Sequence, residues 1–495
     1  MSNNYKLTIG LEIHAQINSL RKLFTLAKNS TYKEFNTTSI EYNQEEKNPN
    51  THITNLEMGM PGILPIVNKE PIIEAIKAGL AINGTINKLS FFDRKHYWYF
   101  DLPNGYQITQ FYMPIVVNGF IEINTIQGPK KIRIKQIHLE ADAGKNIHEK
   151  NESLLDYNRV AVCLIETVTE PDISSAEEAV AFAEEYHRIL TYLGVCLGDM
   201  EKGNFRIDVN ISVTDLNTGQ QTNRVEVKNL NSFNNMIKAI HYEYDLHVKA
   251  LQNNEIIPQS TRFFDAHKGK TGLLRLKESA TDYMYIRDND LPPLIIDDIM
   301  MNEAEIFLKN HLLPADCRKI LMNNGLNEKQ AYEITKEKSS WDYFYGLMEQ
   351  IGSSLTNIEL LYNLVTMELA SLSNKTQIKP WNSKITVENI KHIMDALIKK
   401  KITMASYKIL LEKLWNEGGS VHQLIKDNNM EIIEDESIVV KAVEDAINQN
   451  PQEFSRYKAG ETKLFQFFIG QVMKLTKGKS NPDKVNELLK KYLDN

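Results

Sequence analysis

The chain has 495 residues, so two to four domains are expected, because a single hydrophobic core seldom serves more than about 250–300 residues. Hydrophobic residues make up 42% of the chain and charged residues 24%, which is typical of a globular protein. With 57 basic and 64 acidic residues, the net charge is −7. This excludes a chain-wide positive field for binding nucleic acid and leaves a local basic patch open.

The three cysteines, Cys163, Cys196 and Cys317, are scattered along the chain. They cannot form a zinc cluster among themselves, and their number fits a reducing cytosol. The start, MSNNYKLTIG, resembles neither a signal peptide nor an Arg-rich transit peptide. No apolar run reaches about 18 residues, so no membrane span is predicted. We therefore expect a cytoplasmic protein.

The first predicted strand runs from Leu7 to Ile17, where apolar and polar residues alternate. Because successive side chains of a strand point to opposite faces, Glu12 and His14 project to the same side. They could face a shared site, or they could face solvent on an edge strand. The pattern alone leaves both interpretations open.

A basic and then aromatic stretch, FFDRKHYWYFDLP, occupies residues 91–103. Arg94 and Lys95 could hold a phosphate there, with the aromatic rings stacking on a base or on adenine. The alternative is a core strand with a charged start, and the pattern alone favours that alternative.

Three later segments also alternate and carry a chargeable face. These faces consist of His138, Glu140 and Asp142; of Arg206, Asp208 and Asn210; and of Arg224, Glu226 and Lys228. Such a face on a half-buried strand indicates where polar chemistry could gather.

The run from Arg159 to Val168 differs, because it is apolar on both faces except at Glu166 and is typical of a fully buried strand. An ionised carboxylate there is costly unless a cation, a metal or hydrogen-bond donors meet it. Together with Glu12, His14 and Glu140, Glu166 would form an oxygen-rich site of the kind that Mg²⁺ favours. A structural buried acid is the alternative for Glu166.

The chain changes character near its middle. One helix is predicted between Ser175 and Gly194, and a second near residues 232–251. Pro292-Pro293 ends the strand-rich part, and the pattern is helical from about residue 300. The predicted fold class is therefore α+β, with a β-rich domain at 1–298, a helical domain at 299–410 and a small helical tail at 411–495.

The tail is rich in lysine, and Lys474, Lys477 and Lys479 cluster before the last predicted helix. They could contact a nucleic-acid backbone, or they could belong to an ordinary solvated helix face. Two tripeptides, at 269–271 and 478–480, resemble the end of a phosphate-binding loop but lack its first glycine. Any ATP site must therefore be built in another way.

Read together, these segments resemble one protein family closely. Its successive motifs match IGLEIHAQI at 9–17, PGILPIVNK at 61–69, FDRKHYWYFDLPNGYQITQ at 92–110, HLEADAGK at 138–145, DYNRVAVCLIETVTEPDI at 156–173, VKNLNSF at 227–233, DNDLPPL at 288–294 and GQVMKLTKGKSNP at 470–482. The family is the B subunit (GatB) of the bacterial glutamyl-tRNA(Gln)/aspartyl-tRNA(Asn) amidotransferase. The resemblance is dense over residues 1–298, thin over 300–380 and clear again over the last hundred.

The resemblance implies an activity. Members of this family work in a heterotrimer with an amidase A subunit, which frees ammonia from glutamine, and a small C subunit. The B subunit uses ATP to phosphorylate the side-chain carboxyl of Glu mischarged on tRNA(Gln), and ammonia then displaces the phosphate. Many members convert Asp-tRNA(Asn) in the same way, so both Glu-tRNA(Gln) and Asp-tRNA(Asn) are open as substrates.

The resemblance also implies roles for individual residues. The family's Mg²⁺ site corresponds to Glu12, His14, Glu140 and Glu166. Lys95 corresponds to a family lysine that we assign to phosphate or ammonia handling, and Arg94 lies beside it at the expected ATP site. Also expected near the nucleotide are Arg206, Asp208 and Asn210. The family's tail grips tRNA, which favours RNA contact for Lys474, Lys477 and Lys479. A β-rich catalytic cradle would thus be followed by a helical linker and a tRNA-binding tail.

The sequence departs from the family at several positions. Cysteines that bind a structural zinc in many members are missing near residues 25–28 and 54–58, so no structural zinc is expected. Ala141 replaces a second glutamate, but alternation points it away from Glu140, so the metal site should survive. Met284 and Arg287 also break the usual pattern, and nothing in the sequence explains them.

Two rival functions use the same residues differently. The chain could be a tRNA-docking scaffold that has lost its kinase site, but retention of all four metal-site residues argues against this. It could also be a free-standing ATP-dependent amide ligase. That enzyme would need external ammonia, because the chain shows no serine and lysine machinery of a glutaminase.

Overall fold

The computed structural model describes residues 4–33, 48–276, 283–352, 355–432, 436–476 and 478–494. The chain divides into two compact units, Met1–Asp316 and Cys317–Asn495. The first is built on a large β-sheet and the second is helical, which confirms the predicted α+β class. In the ranges given, no helix is both long and apolar enough to cross a membrane.

The first unit holds the strands. They are β1 (Tyr5–Gln16), β2 (Thr85–Ile86), β3 (Leu89–Ser90), β4 (Asp93–His96), β5 (Tyr106–Thr109), β6 (Val116–Thr125), β7 (Gly128–Ala141), β8 (Lys145–His148), β9 (Ser153–Asp156), β10 (Cys163–Thr169), β11 (Phe205–Asp215), β12 (Val225–Lys228), β13 (Ser260–Asp265), β14 (Lys270–Leu276), β15 (Met284–Arg287) and β16 (Leu294–Ile295). Its helices are α1 (Lys69–Ala81), α2 (Ala176–Tyr192), α3 (Phe233–Asn253), α4 (Asp298–Asn310) and a 3₁₀ turn at Tyr157–Arg159.

The remaining elements are helical. They are α5 (Pro314–Asn323), α6 (Glu328–Ile334), α7 (Lys338–Ile351), α8 (Leu355–Asn363), a π-helical stretch (Leu364–Leu369), α9 (Ala370–Thr376), a 3₁₀ turn (Pro380–Asn382), α10 (Val387–Ile398), α11 (Met404–Glu417), α12 (Val421–Asp427), α13 (Glu436–Asn448), α14 (Pro451–Lys458), α15 (Leu464–Leu475) and α16 (Pro482–Asp494). Helices α13, α15 and α16 enclose a hydrophobic core of their own around Val443, Phe468 and Leu489.

The two units differ from the predicted domain boundaries. The boundary predicted at 298/299 lies at the start of α4, whereas the first unit continues to Asp316, because α4 packs against α1. The boundary predicted at 410/411 falls inside α11. That helix is continuous because it begins at the N-cap Thr403 and meets no breaker before Gly418.

The main sheet has nine strands in the order β14-β13-β12-β11-β1-β10-β7-β6-β2. All neighbours are antiparallel except β12 and β13. Strand β1 lies between β10 and β11, so Glu12 and His14 belong to the interior of the sheet and not to an edge. The opposite face of β1 is apolar, and Ile9 and Ile13 are fully buried in the core.

Helix α2 packs behind the sheet and holds β10 in place. Ser175 caps its first turn by accepting a hydrogen bond from the Glu178 N–H at 3.1 Å, as the sequence pattern predicts. Its apolar stripe includes Phe182 and Tyr186, both fully buried. The Tyr186 hydroxyl and the Thr167 hydroxyl of β10 are hydrogen-bonded at 2.5 Å. This contact fixes the residue next to Glu166.

A buried ion pair joins two loops of the first unit. Lys22 Nζ lies 3.2 Å from Glu57 Oε1, and both side chains are 0% exposed. The Thr25 hydroxyl donates to Glu57 Oε1 at 2.7 Å, and the Thr54 N–H donates to Oε2 at 2.8 Å. Burial lowers the pKa of Lys22, while Lys22 and the threonine donors outweigh burial and lower the pKa of Glu57. Through Thr25 and Thr54, Glu57 thus connects the two segments, 25–28 and 54–58, for which no zinc is expected.

Candidate active site

A pocket of about 350 Å³ opens on the polar face of the main sheet. It is lined by the four predicted metal ligands, Glu12, His14, Glu140 and Glu166, together with Lys95. Strands β1, β7, β10 and β12 form its floor, and side chains from β4, β14 and β15 stand at its sides. The polar faces of β1, β7 and β12, which were predicted from alternation, therefore meet in one place.

The strand register aligns three charged side chains in one row. Glu166 of β10 is paired with His14 of β1 on one side and with His138 of β7 on the other. His14 Nε2 lies 3.3 Å and His138 Nε2 lies 3.1 Å from the same oxygen, Glu166 Oε2. His138 Nε2 is also 3.8 Å from Glu140 Oε2. A carboxylate in the middle of the sheet is therefore flanked by two imidazoles.

These contacts bias the protonation states. Burial alone would raise the pKa of Glu166, but His138 and His14 hold that pKa well below its usual range. Burial alone would lower the pKa of His138, yet Glu166 and Glu140 raise it to about 10. The pKa of His14 is likewise raised, because Glu166 outweighs burial. The protonated imidazoles supply the positive charge that a buried carboxylate requires.

Glu12 belongs to a second cluster in the same pocket. It is paired with Asp208 of β11, and the carboxylates of Glu12, Asp208 and Glu226 lie within 4.8 Å of one another. The Asn210 amide donates to Glu12 Oε1 at 2.9 Å. Burial, followed by the neighbouring carboxylates, raises the pKa of Glu12. Lys228 Nζ lies 3.0 Å from Glu226 Oε1 and also contacts Asp208.

The four metal ligands predicted as one set are thus divided between two groups. The first is His14, Glu140 and Glu166, and the second contains Glu12 with two carboxylates from other strands. The cause is the length of the strand repeat. Residues two apart on a strand face the same side but lie about 6–7 Å apart. Glu12 is therefore too far along β1 to join the row that contains His14, and it lies beside Asp208 and Glu226 instead.

Lys95 enters the pocket from β4. Its Nζ lies 4.8 Å from the ring centre of Tyr283 and 6.0 Å from that of Tyr97. Burial would lower the pKa of Lys95, but Glu140 and Tyr285 outweigh it and raise that pKa. Lys95 is therefore a fixed positive charge beside the carboxylates.

Two of the predicted nucleotide-binding residues are held elsewhere. Arg94 donates to Asp288 at 2.9 and 3.0 Å and to Asp290 at 2.5 Å. Because neighbouring residues of a strand point to opposite sides, Arg94 cannot line the pocket that Lys95 enters. Arg206 donates to Asp142 at 3.0 Å and is also absent from the lining of this pocket. Asp208 and Asn210, which were predicted near the nucleotide as well, lie beside Glu12 but do not line the pocket themselves.

His138, Glu226 and Lys228 line the pocket although they were not among the predicted site residues. Alternation already placed each of them on a polar face of its strand. The missing information was which strands pair, because Glu226 reaches Glu12 only through the order β12-β11-β1.

Two protein families match the chain. The GatB/GatE catalytic domain matches residues 7–302, and the GatB domain matches residues 346–493. The B subunit of the aspartyl/glutamyl-tRNA(Asn/Gln) amidotransferase of Rickettsia felis is 40% identical over 496 residues, which cover 100% of this chain and 98% of the relative. The proteins of the same name from Rickettsia canadensis and Rickettsia typhi are also 40% identical over 496 residues, covering 99% and 100% of this chain and 98% of each relative.

The chain belongs to the GatB family. The catalytic-domain match spans every side chain of the pocket described above. Ala141, the departure from the GatB pattern next to Glu140, lies in the hydrophobic core and away from this pocket. The substitution therefore leaves the polar face of β7 unchanged.

The predicted RNA contacts lie within the second GatB match. Lys474 is exposed in the last turn of α15, and Lys479 is half-buried before α16. Lys477 lies outside the described residues. The Asp483 N–H donates to the Asn481 side chain at 3.0 Å, so Asn481 caps the start of α16.

Proposed function

We propose that this GatB chain uses ATP to activate the side-chain carboxyl of a misacylated tRNA and transfers the activated acyl group to ammonia. The observation that carries the proposal is that four carboxylates, from β1, β7, β10 and β12, line one open pocket, with the Asp208 carboxylate of β11 within 4.8 Å of two of them. Carboxylates gathered at ligand distance suit a hard divalent cation. Like charges crowded in this way are costly for a fold and are typical of a functional site.

The donor set fits Mg²⁺. In this proposal, His14, Glu140 and Glu166 would hold one ion, because their ligand atoms lie within 4.8 Å of one another. His14 would release its proton on binding, since only a neutral imidazole ligates a metal. Glu12, Asp208 and Glu226 would hold a second ion, at a place where the Lys228 ammonium already contacts the Asp208 and Glu226 carboxylates. Bound Mg²⁺ neutralises the phosphate oxygens of ATP.

The chemistry needs activation because a carboxylate is a poor electrophile. A carboxylate oxygen of the tRNA-linked Glu or Asp attacks the γ-phosphorus of ATP, and ADP leaves. Ammonia then attacks the carbonyl carbon of the acyl phosphate, and the carbon–oxygen bond to the bridging oxygen breaks. Inorganic phosphate leaves with the oxygen that attacked ATP and takes up a proton from the ammonia nitrogen, while the other carboxyl oxygen stays as the amide carbonyl. Lys95 is positioned to hold an anionic oxygen during these steps, since it is a fixed cation at the pocket wall.

The acyl phosphate must be protected from water. Phe111 and Tyr285 line the pocket, and their rings are stacked with centres 3.9 Å apart. We assign this pair the task of covering one side of the reacting carboxyl, which limits hydrolysis before ammonia arrives.

Ammonia must come from outside the chain. The matched relatives are named as one lettered subunit of an amidotransferase, which implies a complex with several subunits. We propose an amidase A subunit and a small C subunit as partners, in the cytoplasm, with Glu-tRNA(Gln), Asp-tRNA(Asn) or both as substrates. Lys474 and Lys479 are assigned to the tRNA backbone. Replacing both by alanine should lower tRNA affinity and reduce its salt dependence by about two phosphate contacts.

The decisive experiment uses the reconstituted complex with Mg²⁺, ATP, glutamine and each misacylated tRNA. Glu166→Gln should abolish amidation and tRNA-dependent ATP cleavage, while glutamine hydrolysis and tRNA binding remain. Glu170→Gln is the matched control, because Glu170 follows the same strand and does not line the pocket. Unchanged amidation by Glu166→Gln would overturn the proposed site. A wild-type complex that binds tRNA without cleaving ATP would instead support the docking scaffold.

A further inference from the structure

The segment after β4 carries three consecutive exposed aromatic rings. Trp98 is 88% exposed, Tyr99 62% and Phe100 73%. The interpretation of this stretch as a core strand therefore fails beyond His96, where β4 ends. Large rings left exposed as a group are typical of a surface that binds a ligand.

The segment has a defined shape. The Leu102 N–H donates to the Tyr99 carbonyl at 3.1 Å, and the Gly105 N–H donates to the Leu102 carbonyl at 2.9 Å. Gly105 has a φ of +71°, and a Cβ built on it would lie 3.0 Å from Cζ3 of the Trp98 indole. The indole thus rests on the backbone of Gly105 and presents most of its surface outward.

The rings are continuous with the pocket. The ring centres of Tyr99 and Tyr97 are 5.7 Å apart, and those of Tyr97 and Tyr283 are 5.5 Å apart. Tyr283 lines the pocket, lies 4.8 Å from Lys95 Nζ and accepts a hydrogen bond from Arg275 at 3.3 Å. A path of aromatic groups therefore leads from the exposed rings to a wall with two cations.

We propose that Trp98, Tyr99 and Phe100 form a stacking platform for the unpaired nucleotides at the aminoacylated end of the RNA substrate. This inference rests on the proposed function. The amino acid is esterified to the terminal nucleotide, so nucleotides next to a carboxyl in the pocket must leave along its wall. Aromatic faces interleaved with cations are the combination that holds single-stranded nucleic acid.

The charges near the platform favour bases over phosphates. Phe100 shares a surface groove with Glu149, Lys150 and Glu152 of the turn between β8 and β9, so the groove carries two carboxylates and one ammonium and has no net positive charge to attract a phosphate. Base stacking needs no countercharge, because every base has a π face. Phosphate contacts are left to Lys95 and Arg275 at the inner end of the path.

The test compares Trp98→Ala and Trp98→Phe in the reconstituted complex. Two probes are used: a full-length tRNA transcript and the same transcript without its single-stranded 3′ end. Trp98→Ala should raise the Kd for the full-length transcript by roughly 5- to 150-fold, the range for loss of one stacked base, and leave the Kd for the truncated transcript unchanged. Trp98→Phe should retain most of the affinity. Ile126→Ala, at the fully exposed tip between β6 and β7, is the control and should bind as wild type.

Each other result overturns the platform in its own way. An equal loss for both transcripts would make the ring a general contact. A raised KM for ATP with unchanged RNA affinity would mean that the indole stacks on adenine. Loss of the A or C subunit from the complex would mean that the rings are a protein interface, and no change at all would leave them without a role. None of these results affects the proposed function, which fails only if the wild-type complex does not amidate.

Discussion

Charged side chains are buried in two parts of the first unit. The two parts compensate differently for the lost hydration of these charges. In the loops, Lys22 and Glu57 form a single pair with both side chains fully buried. Each charge has one partner of opposite sign, and Thr25 and Thr54 donate further hydrogen bonds to the carboxylate. In the pocket, Glu166 is shared between two imidazoles, and Glu12 lies beside two further carboxylates.

Burial of charge therefore does not by itself mark a functional site. The loop pair is balanced and closed, so it can only hold two segments together. In the pocket, several carboxylates lie close together, and the pocket has a volume of about 350 Å³. It therefore has both the charge and the space to bind cations and phosphates. Stability should therefore depend on the loop pair, and activity on the pocket.

After Glu166→Gln, which should abolish amidation, the largest effect on activity is expected from Glu140→Gln. Removing this charge should lower the rate of amidation by on the order of 10³-fold. The reason is that the site loses one of the fixed charges that would position the metal ion and the transferring phosphoryl group. The free energy of unfolding should fall by less than about 1 kcal/mol, since the change also relieves repulsion among carboxylates. Amidation rates and urea titrations measure the two quantities. Glu122→Gln, at an exposed position of β6, is the control. A strong loss of stability with retained activity would reverse the comparison.

The largest effect on stability is expected from Lys22→Met. It leaves the Glu57 carboxylate buried without its cation, so the first unit should lose about 3–5 kcal/mol of unfolding free energy. Lys69→Met is the matched control, because Lys69 lies 3.2 Å from Glu303 with both side chains about half exposed. That pair should contribute no more than about 1 kcal/mol. Equal effects of the two substitutions in urea titrations would show that burial of the loop pair is unimportant.

Much of the fold could be predicted because its signals are local. The alternation in β1 and β11 and the capping of α2 by Ser175 depend on neighbouring residues. The order of the nine strands does not. Glu12 and Asp208 face each other across β1 and β11, and nothing local in either strand specifies this pairing.

The same limit applies to the site. Glu12, His14, Lys95, Glu140 and Glu166 could be placed in one pocket from strand faces and from the GatB resemblance, and all of them line it. The division into two clusters required the register between strands. Arg94 lies outside the pocket because it is held by Asp288 and Asp290, which are far along the chain and could not be paired with it from local patterns.

A smaller effect on activity is expected from Glu226→Gln, which tests the second cluster. The substitution keeps the shape of the side chain and removes one of three clustered carboxylates. Amidation should fall about 10- to 100-fold, and the Mg²⁺ concentration needed for half-maximal rate should rise. Glu255→Gln, at an exposed position after α3, is the control. An unchanged Mg²⁺ requirement would mean that only the cluster around Glu166 binds Mg²⁺.

The smallest expected effect is a difference in acid sensitivity between the wild type and a variant without the loop pair. The pKa of Glu57 is lowered in the folded protein from its ordinary value of 4.5, so the unfolded chain binds more protons between the two values. Its contribution to stability is therefore complete above about pH 4.5 and is lost as the pH falls through the lowered pKa. In urea titrations across this range, the wild type should lose more stability than the double variant Lys22→Met/Glu57→Gln, in which no carboxylate titrates at this position. Parallel profiles would mean that Glu57 is already neutral beside Lys22. The loop pair would then be a hydrogen bond between neutral groups. It would differ from the pocket because its groups are not ionised, and not because its charges are balanced.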